Sequence, residues 1–247
     1  MAPLTPPRRS LRWLTLAALV TTLAATAAPV QARVTVPPEV QIGSEPMMSI
    51  DGRLVGVTVL ARCPARSSVS EARVSVSQGT VAGSATFPLT CTSGWQSFRV
   101  AAAASGGVFQ LGSVRLDAVV RIARGKTAGA SVSETAGLIP EVLLDAAGTA
   151  RLEAGGRAVL IEVTTGCPSG VTPLDASATV EQGGRSMGGA GFSFVCDGLR
   201  HTITLRAETF DNPFQVGPAT VTAFSTVEYQ DRAFYGVDSS AIQIVSP

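Results

Sequence analysis

Most of this chain is written twice. At an offset of 104 residues, Gly52-Arg53 falls on Gly156-Arg157, Cys63-Pro64 on Cys167-Pro168, and Gln78-Gly79 on Gln182-Gly183. At an offset of 105, Phe87 meets Phe192, Cys91 meets Cys196, and Phe109-Gln110-x-Gly112 meets Phe214-Gln215-x-Gly217. One inserted residue accounts for the whole register, which identifies a tandem duplication. The duplication constrains the architecture to two like units and leaves the activity open.

The N-terminus precedes the repeats and has a different character. Arg8, Arg9 and Arg12 lead into an apolar run from Leu14 to Ala28, and Val30-Gln31-Ala32 places small residues ahead of a cleavage point. This is the pattern of a secretory signal peptide over residues 1–32, with cleavage expected after Ala32. The run is short and diluted by threonine, whereas a spanning helix needs about 20 apolar residues. No cysteine precedes Cys63, so there is no lipobox, and Ile244-Val245-Ser246-Pro247 carries no sorting tail. The expectation is a secreted, soluble product with no membrane insertion after cleavage.

Of the 19 basic residues three lie in the leader, which leaves sixteen against 18 acidic ones. A near-neutral chain has no electrostatic footprint for nucleic acid, so no nucleic-acid partner is expected. It offers an anionic membrane surface equally little. Lys126 is the only lysine, a bias better explained by codon composition than by chemistry.

Four cysteines in an exported chain allow three disulfide pairings. Each copy holds two, 28 residues apart in the first and 29 in the second. A unit that duplicated whole closes its own bridge, giving Cys63–Cys91 and Cys167–Cys196. Each closure is worth roughly 3–4 kcal/mol in the chain-entropy account. The Cys-Pro sites lack the short spacing of a structural zinc site, and an oxidising compartment favours the bridges.

Alternation of apolar and polar residues predicts strands throughout. Glu39–Ile42 and Leu54–Ala61 come first, the latter matched by Val159–Thr165. Ala72–Ser77 follows, closed by a turn at Gln78-Gly79. Phe87, Leu89 and Cys91 alternate, as do Phe192, Phe194 and Cys196. Phe98 and Val100, with Ile203 and Leu205, extend the pattern. Beyond the Phe-Gln-x-Gly corner lie Val114–Val119 and Ala219–Phe224, and the copies end near Ala136–Ile139 and Ala241–Ile244. No segment of the mature chain has a capped 3.6-residue apolar period. Short strands punctuated by Gly, Pro and Ser predict an all-β fold, two tandem immunoglobulin-like β-sandwiches of about seven antiparallel strands each. Their expected bounds are 33–140 and 141–247, with Val142–Leu144 opening the second copy and almost no linker between. Antibody domains differ, because their bridge crosses the core beside a tryptophan. Here the first cysteine ends a strand, so the bridge should pin a loop at one end.

Gln182-Gly183, Cys196-Asp197-Gly198, Phe214-Gln215-x-Gly217-x-Ala219 and the Ser/Ala-rich last strand resemble small exported actinobacterial domains of unknown function. The resemblance implies an immunoglobulin-like sandwich with one disulfide, and implies export, but no chemistry. It covers both copies, the second more fully. Thr92-Ser93 stands in the first where the second has Asp197-Gly198, and Ser113-Val114 where it has Pro218-Ala219.

Few residues invite a chemical role. His201, the only histidine, follows Ser193 and Asp197, but no nucleophile elbow surrounds Ser193. Gln96 occupies the matching place in the first copy. A hydrolase reading rests on His201 and Asp197 alone. Glu208, Asp211 and Asn212 form an oxygen-rich group that suits calcium, or a solvated turn. Gly188-Gly189-Ala190-Gly191 lacks the helix behind it that a phosphate cradle needs, and reads as strand-edge flexibility. Trp95 should face solvent near the Cys91 bridge, where an aromatic can stack on a sugar or anchor a partner. Arg200 takes its place in the second copy, so the repeats would not share a ligand. No cofactor or metal is implied.

The leading expectation is a non-catalytic exported protein with a binding or structural role, its partner an extracellular or cell-envelope protein or glycan. Carbohydrate recognition through Trp95 and a hydrolase with an unrecognised site are the alternatives. A third option adds a free N-terminal segment, Arg33–Glu45, to another subunit's sheet edge.

Overall fold

The computed structural model describes residues 36–124 and 126–247. The expected signal peptide and its cleavage point lie outside them. Thr35–Pro247 forms one compact unit, whose strands fall into two hydrogen-bonded bodies. The first contains β1 (Glu39–Ile42), β2 (Met47–Met48), β3 (Leu54–Arg62), β4 (Ser68–Gln78), β5 (Val81–Thr86), β6 (Gln96–Ser105), β7 (Ser113–Arg124), β8 (Lys126–Gly137) and β9 (Ile139–Pro140). The second contains β10 (Leu143–Leu152), β11 (Ala158–Gly166), β12 (Thr172–Gln182), β13 (Ser186–Gly191), β14 (His201–Thr209), β15 (Gly217–Tyr229) and β16 (Arg232–Val245). Among the described residues the one helical piece is a 3-10 turn at Ala154–Gly156.

The all-β expectation holds, but the strands do not form two separate sheets. The second body is a closed barrel in the order β10-β11-β14-β13-β12-β15-β16. The first runs β8-β7-β4-β5-β6-β3-β2-β9, with β1 on β3. The ends of that path are neighbours in the chain, since only Leu138 separates β8 from β9. Nor is the pairing all antiparallel: β2 with β9 and β10 with β16 are parallel.

The strand that joins the two halves of each body is the one the sequence hides. β5 and β13 are Gly, Ser and Ala-rich; β13 has none of the β-branched residues that mark a strand, and β5 has them only at its two ends, Val81 and Thr86. Yet β13 pairs with β12 from Ser177↔Gly191 to Gln182↔Ser186, and with β14 at Gly188↔Thr209 and Gly189↔Glu208. A Cβ on Gly188 would stand 2.4 Å from the Glu208 carbonyl oxygen and 2.9 Å from the Phe214 ring. Gly83, its repeat partner, would place one 2.6 Å from the Ala103 carbonyl oxygen. These glycines permit a close backbone approach rather than flexibility.

The predicted strands at Phe87–Cys91 and Phe192–Cys196 are instead extended loop. Their alternation comes from burial alone, with Phe87, Leu89 and Phe194 in the cores. The inserted residue sits in the β12–β13 turn. Gln182 and Ser186 flank Gly183-Gly184-Arg185, where Gln78 and Val81 flank only Gly79-Thr80.

The recurring Gln-Gly and Phe-Gln-x-Gly motifs meet in space. In the first body the Gln78 side chain accepts from the Gln110 amide at 2.8 Å, and its Nε2 donates to the Gln110 carbonyl at 2.8 Å and the Ser113 carbonyl at 3.3 Å. In the second, Gln182 accepts from the Gln215 amide at 2.9 Å and donates to the Gln215 and Pro218 carbonyls at 2.8 and 3.5 Å. One amide side chain thus satisfies main-chain groups that the corner leaves without a ladder partner. Below it, the Phe109 amide donates to Gly52 O and the Phe214 amide to Gly156 O, both at 2.8 Å. Gly52 and Gly156 have φ of 65° and 70°, and a Cβ there would stand 2.4 and 2.5 Å from the following corner's carbonyl. The clamp seats Phe109 and Phe214, both 2% exposed, at the floor of each core.

Gln182→Ala removes this clamp and leaves the corner's groups unpaired. These bonds lie at the surface, so the expected loss is that of ordinary hydrogen bonds, about 0.5–1.5 kcal/mol, read as a lower midpoint in chemical denaturation. A change inside the usual surface-substitution scatter of about 0.5 kcal/mol contradicts the assignment.

Candidate functional site

Both bridges close within their own repeat, with Cα–Cα separations of 4.9 Å for Cys63–Cys91 and 4.7 Å for Cys167–Cys196. Each pins the β5–β6 or β13–β14 loop to the residue that follows β3 or β11. The Ser93 amide donates to Cys63 O at 2.9 Å, and the Gly198 amide to Cys167 O at 3.0 Å. Ser93 holds the same left-handed conformation as Gly198, with φ of 69° against 83°. Its hydroxyl offsets that strain by accepting from the Ala65 amide at 2.9 Å.

At the disulfide end of the first repeat, Trp95 is 42% exposed, as its place in the alternation predicts. It is not a bare ring. The Arg62 guanidinium carbon lies 4.9 Å from the ring centroid, and Arg62 donates to Glu39 at 2.5 Å. Arg62 Nε is buried without a partner among the described residues. Glu39 thus orients the arginine and the arginine covers the ring, a cation–π contact worth about 0.5–1 kcal/mol at exposed sites. Sequence reading missed both partners, because Glu39 and Arg62 are 23 residues apart and neither belongs to the repeated motif. In the second repeat the corresponding residues are Arg200, which is exposed, and Gly166, which is buried. The ring and its arginine are therefore unique to one end of the chain.

β1 is engaged within its own chain. Glu39↔Arg62 through Ile42↔Val59 pair it antiparallel to β3. The option that Arg33–Glu45 is free to join another subunit's sheet is corrected by this ladder for Glu39–Ile42, while residues 33–35 lie outside the described set.

His201 bonds through Nε2 to both Asp197 oxygens, at 2.9 and 3.0 Å. The Leu199 amide also donates to Asp197, at 2.9 Å. These bonds hold the Asp197 carboxyl below the usual aspartate range, the histidine contact first. Ser193 is exposed in the loop, with no hydrogen bond to His201 among the described residues. Nor do Glu208, Asp211 and Asn212 converge. Glu208 pairs with Arg206, Asp211 accepts from the Met187 and Asn212 amides at 3.1 and 2.6 Å, and Asn212 donates to Arg185 O at 2.6 Å. They stitch two loops together, and among the described residues no group of three His, Cys, Asp or Glu is placed to hold a metal.

The two bodies meet where the base of the first faces the disulfide end of the second. Ile50, at the tip of the Ser49–Arg53 turn, is 7% exposed. A Cβ on Gly166 would stand 2.9 Å from Ile50 Cδ1. Leu111 packs on the cluster of Cys167, Val171, Phe194 and Val227 as well as on its own core. Arg232 grips Glu45 with two bonds of 2.8 and 3.0 Å, which hold the Glu45 carboxyl below its ordinary range. The Glu141 amide, donating to Met48 O at 3.0 Å, fastens the short connection. Beside these contacts lies an open cleft of about 540 Å³ lined by Asp51, Arg53, Asp197 and Tyr229.

No family model matches the chain, and no curated protein matches it. Among solved structures it is similar to the fibronectin(III)-like modules of Clostridium thermocellum CbhA, at 17% identity over 84% of this chain and 94% of that one, with a TM-score of 0.25. Among the described residues no helix is long and apolar enough to cross a membrane.

Two measurements check this geometry. Arg62→Ala should uncover the indole, moving Trp95 emission to longer wavelength and increasing its quenching by acrylamide; an unchanged spectrum contradicts the stacked arrangement. His201→Ala should raise the Asp197 pKa towards the ordinary aspartate value, followed by carboxyl NMR. A depressed folded-state pKa stabilises above the unfolded value and is lost as pH falls through the folded one, so the variant should lose less stability on acidification than the parent. Identical acid limbs would contradict it.

Proposed function

We propose that this is an exported, non-catalytic protein of two immunoglobulin-like repeats with a binding or structural role at or outside the cell surface. The observation that carries the reading is how the recurring residues are used. Gln78 and Gln182 clamp corners, Gly52 and Gly156 admit a close carbonyl, and the cysteines pin loops. What recurs is scaffold, and what differs lies at the ends. His201 and the Glu208–Asn212 group, the residues with most chemical promise, are engaged in local structure. Two bridges in one short chain favour an oxidising compartment.

A second reading has one observation of its own: an indole held rigid by Arg62 and still 42% exposed suits stacking on a sugar ring. Glycan-dependent quenching of Trp95 emission that Trp95→Ala abolishes would favour it.

The wider reading predicts protein in the culture medium that begins at Arg33 and carries both bridges. Retention in the cytosol with reduced cysteines contradicts it. So does hydrolysis of a substrate panel that Asp197→Ala abolishes.

A further inference from the structure

The junction inside this chain uses one end of each repeat and, among the described residues, leaves the other two ends uncovered. At the base of the second repeat the backbone copies that of the first. The Gly156 amide donates to Glu153 O at 3.0 Å, as the Gly52 amide does to Ser49 O at 2.9 Å. The same Gln clamp and Phe seat follow. On that base Val216 stands in the place of Leu111. Leu111 is packed into the neighbouring repeat, whereas Val216 is 58% exposed and Phe210, in the same loop, is 71% exposed. At the opposite end of the molecule Trp95 is exposed where, in the second repeat, the loop before Arg200 runs along the junction.

We propose that the base of the second repeat docks on the disulfide end of the first repeat of another copy of this chain, joining chains head to tail. This deepens the structural role proposed above. The intrachain junction shows that such a base and such a disulfide end fit one another, and the free ends keep its form with the bulk exchanged. In the junction the base offers the large Ile50 and the disulfide end answers with Gly166, which has no side chain. At the free ends the base offers the small Ala154, and the disulfide end carries Arg62 and Trp95. At these two positions, Ala154 for Ile50 and Arg62 for Gly166, volume removed from one surface is added to the other. The contact is heterologous, with different patches on the two partners, so nothing in it limits growth to a pair.

Its strength is modest. Inside the chain the connection holds the two surfaces at an effective concentration in the millimolar range, and Arg232 adds its pair with Glu45. The position of Glu45 is Thr149 in the second repeat, so that ion pair is not available from the base. Without the tether, association is expected to be weak and to rise with protein concentration.

The test uses the exported chain with bridges intact, in sedimentation velocity over a concentration series. The wild type should show a mass that rises continuously with concentration. Val216→Asp blocks every base and Trp95→Asp blocks every disulfide end, so each variant alone should stay monomeric. Mixed in equal amounts, they should form a one-to-one dimer and grow no further, because each supplies the surface the other lacks. Ala154→Arg is the second base variant, should Val216→Asp not retain the β-sheet circular-dichroism spectrum. A wild type that stays monomeric throughout overturns the proposal. So does a closed dimer that only one substitution abolishes, or a mixture that does not associate. None of these outcomes touches export or the absence of catalysis, which are read separately from the culture medium.

Discussion

A glutamine side chain folded back onto the main chain is the contact on which each half of this molecule depends. The Phe-Gln-x-Gly corner carries the chain from the end of β6 or β14 into β7 or β15, and its amides and carbonyls have no strand beside them. Gln78 and Gln182 supply those partners. With the corner fixed, Phe109 and Phe214 reach the floor of the cores, and the turns at Gly52 and Gly156 close under them. The bonds lie at the surface, where each is worth about 0.5–1.5 kcal/mol, a noticeable part of the 5–15 kcal/mol by which domains are usually stable. The motif is retained in both copies for that reason, and its glycines for the space they leave.

The same base then serves a second purpose. Because the corner is rigid, Leu111 projects from it at a defined place, and so does Ile50 from the adjoining turn. Both meet the disulfide end of the second repeat, where the Cys167–Cys196 bridge holds the receiving loop. Bridge and clamp are thus the two faces of one joint. The repeats share the clamp, the bridge and the turn glycines and diverge at their ends: Arg62 for Gly166, Trp95 for Arg200, Ile50 for Ala154. Surface chemistry rather than core accounts for the difference between them.

The duplication carried much of this in plain view. Matching cysteines gave the bridge pairing, and turn glycines with alternating valines gave the all-β class, down to β1 at Glu39–Ile42. Other parts were hidden for identifiable reasons. β5 and β13 have strand geometry without strand composition, because their glycines answer to neighbouring carbonyls rather than to propensity. Phe87-x-Leu89-x-Cys91 alternates like a strand, since a loop lying along a core obeys the same inside–outside rule. Closure of the second body depends on the parallel pairing of β10 with β16, between residues nearly a hundred positions apart, which no local pattern announces. At the disulfide end, exposure of Trp95 followed from alternation, but its cover by Arg62 did not. The substitution of Gly166 for Arg62 was the available signal for the junction, visible only once the two copies are aligned.

Native-state hydrogen exchange resolved by NMR measures the clamp directly. The amides of Gln110 and Gln215 lie outside any ladder, and an ordinary loop amide exchanges by local fluctuation. Bound to Gln78 and Gln182, they should exchange as slowly as amides of the central strands β6 and β14, and Gln78→Ala should release the Gln110 amide while leaving that of Gln215 protected. Fast exchange at both positions in the unaltered protein would contradict the account.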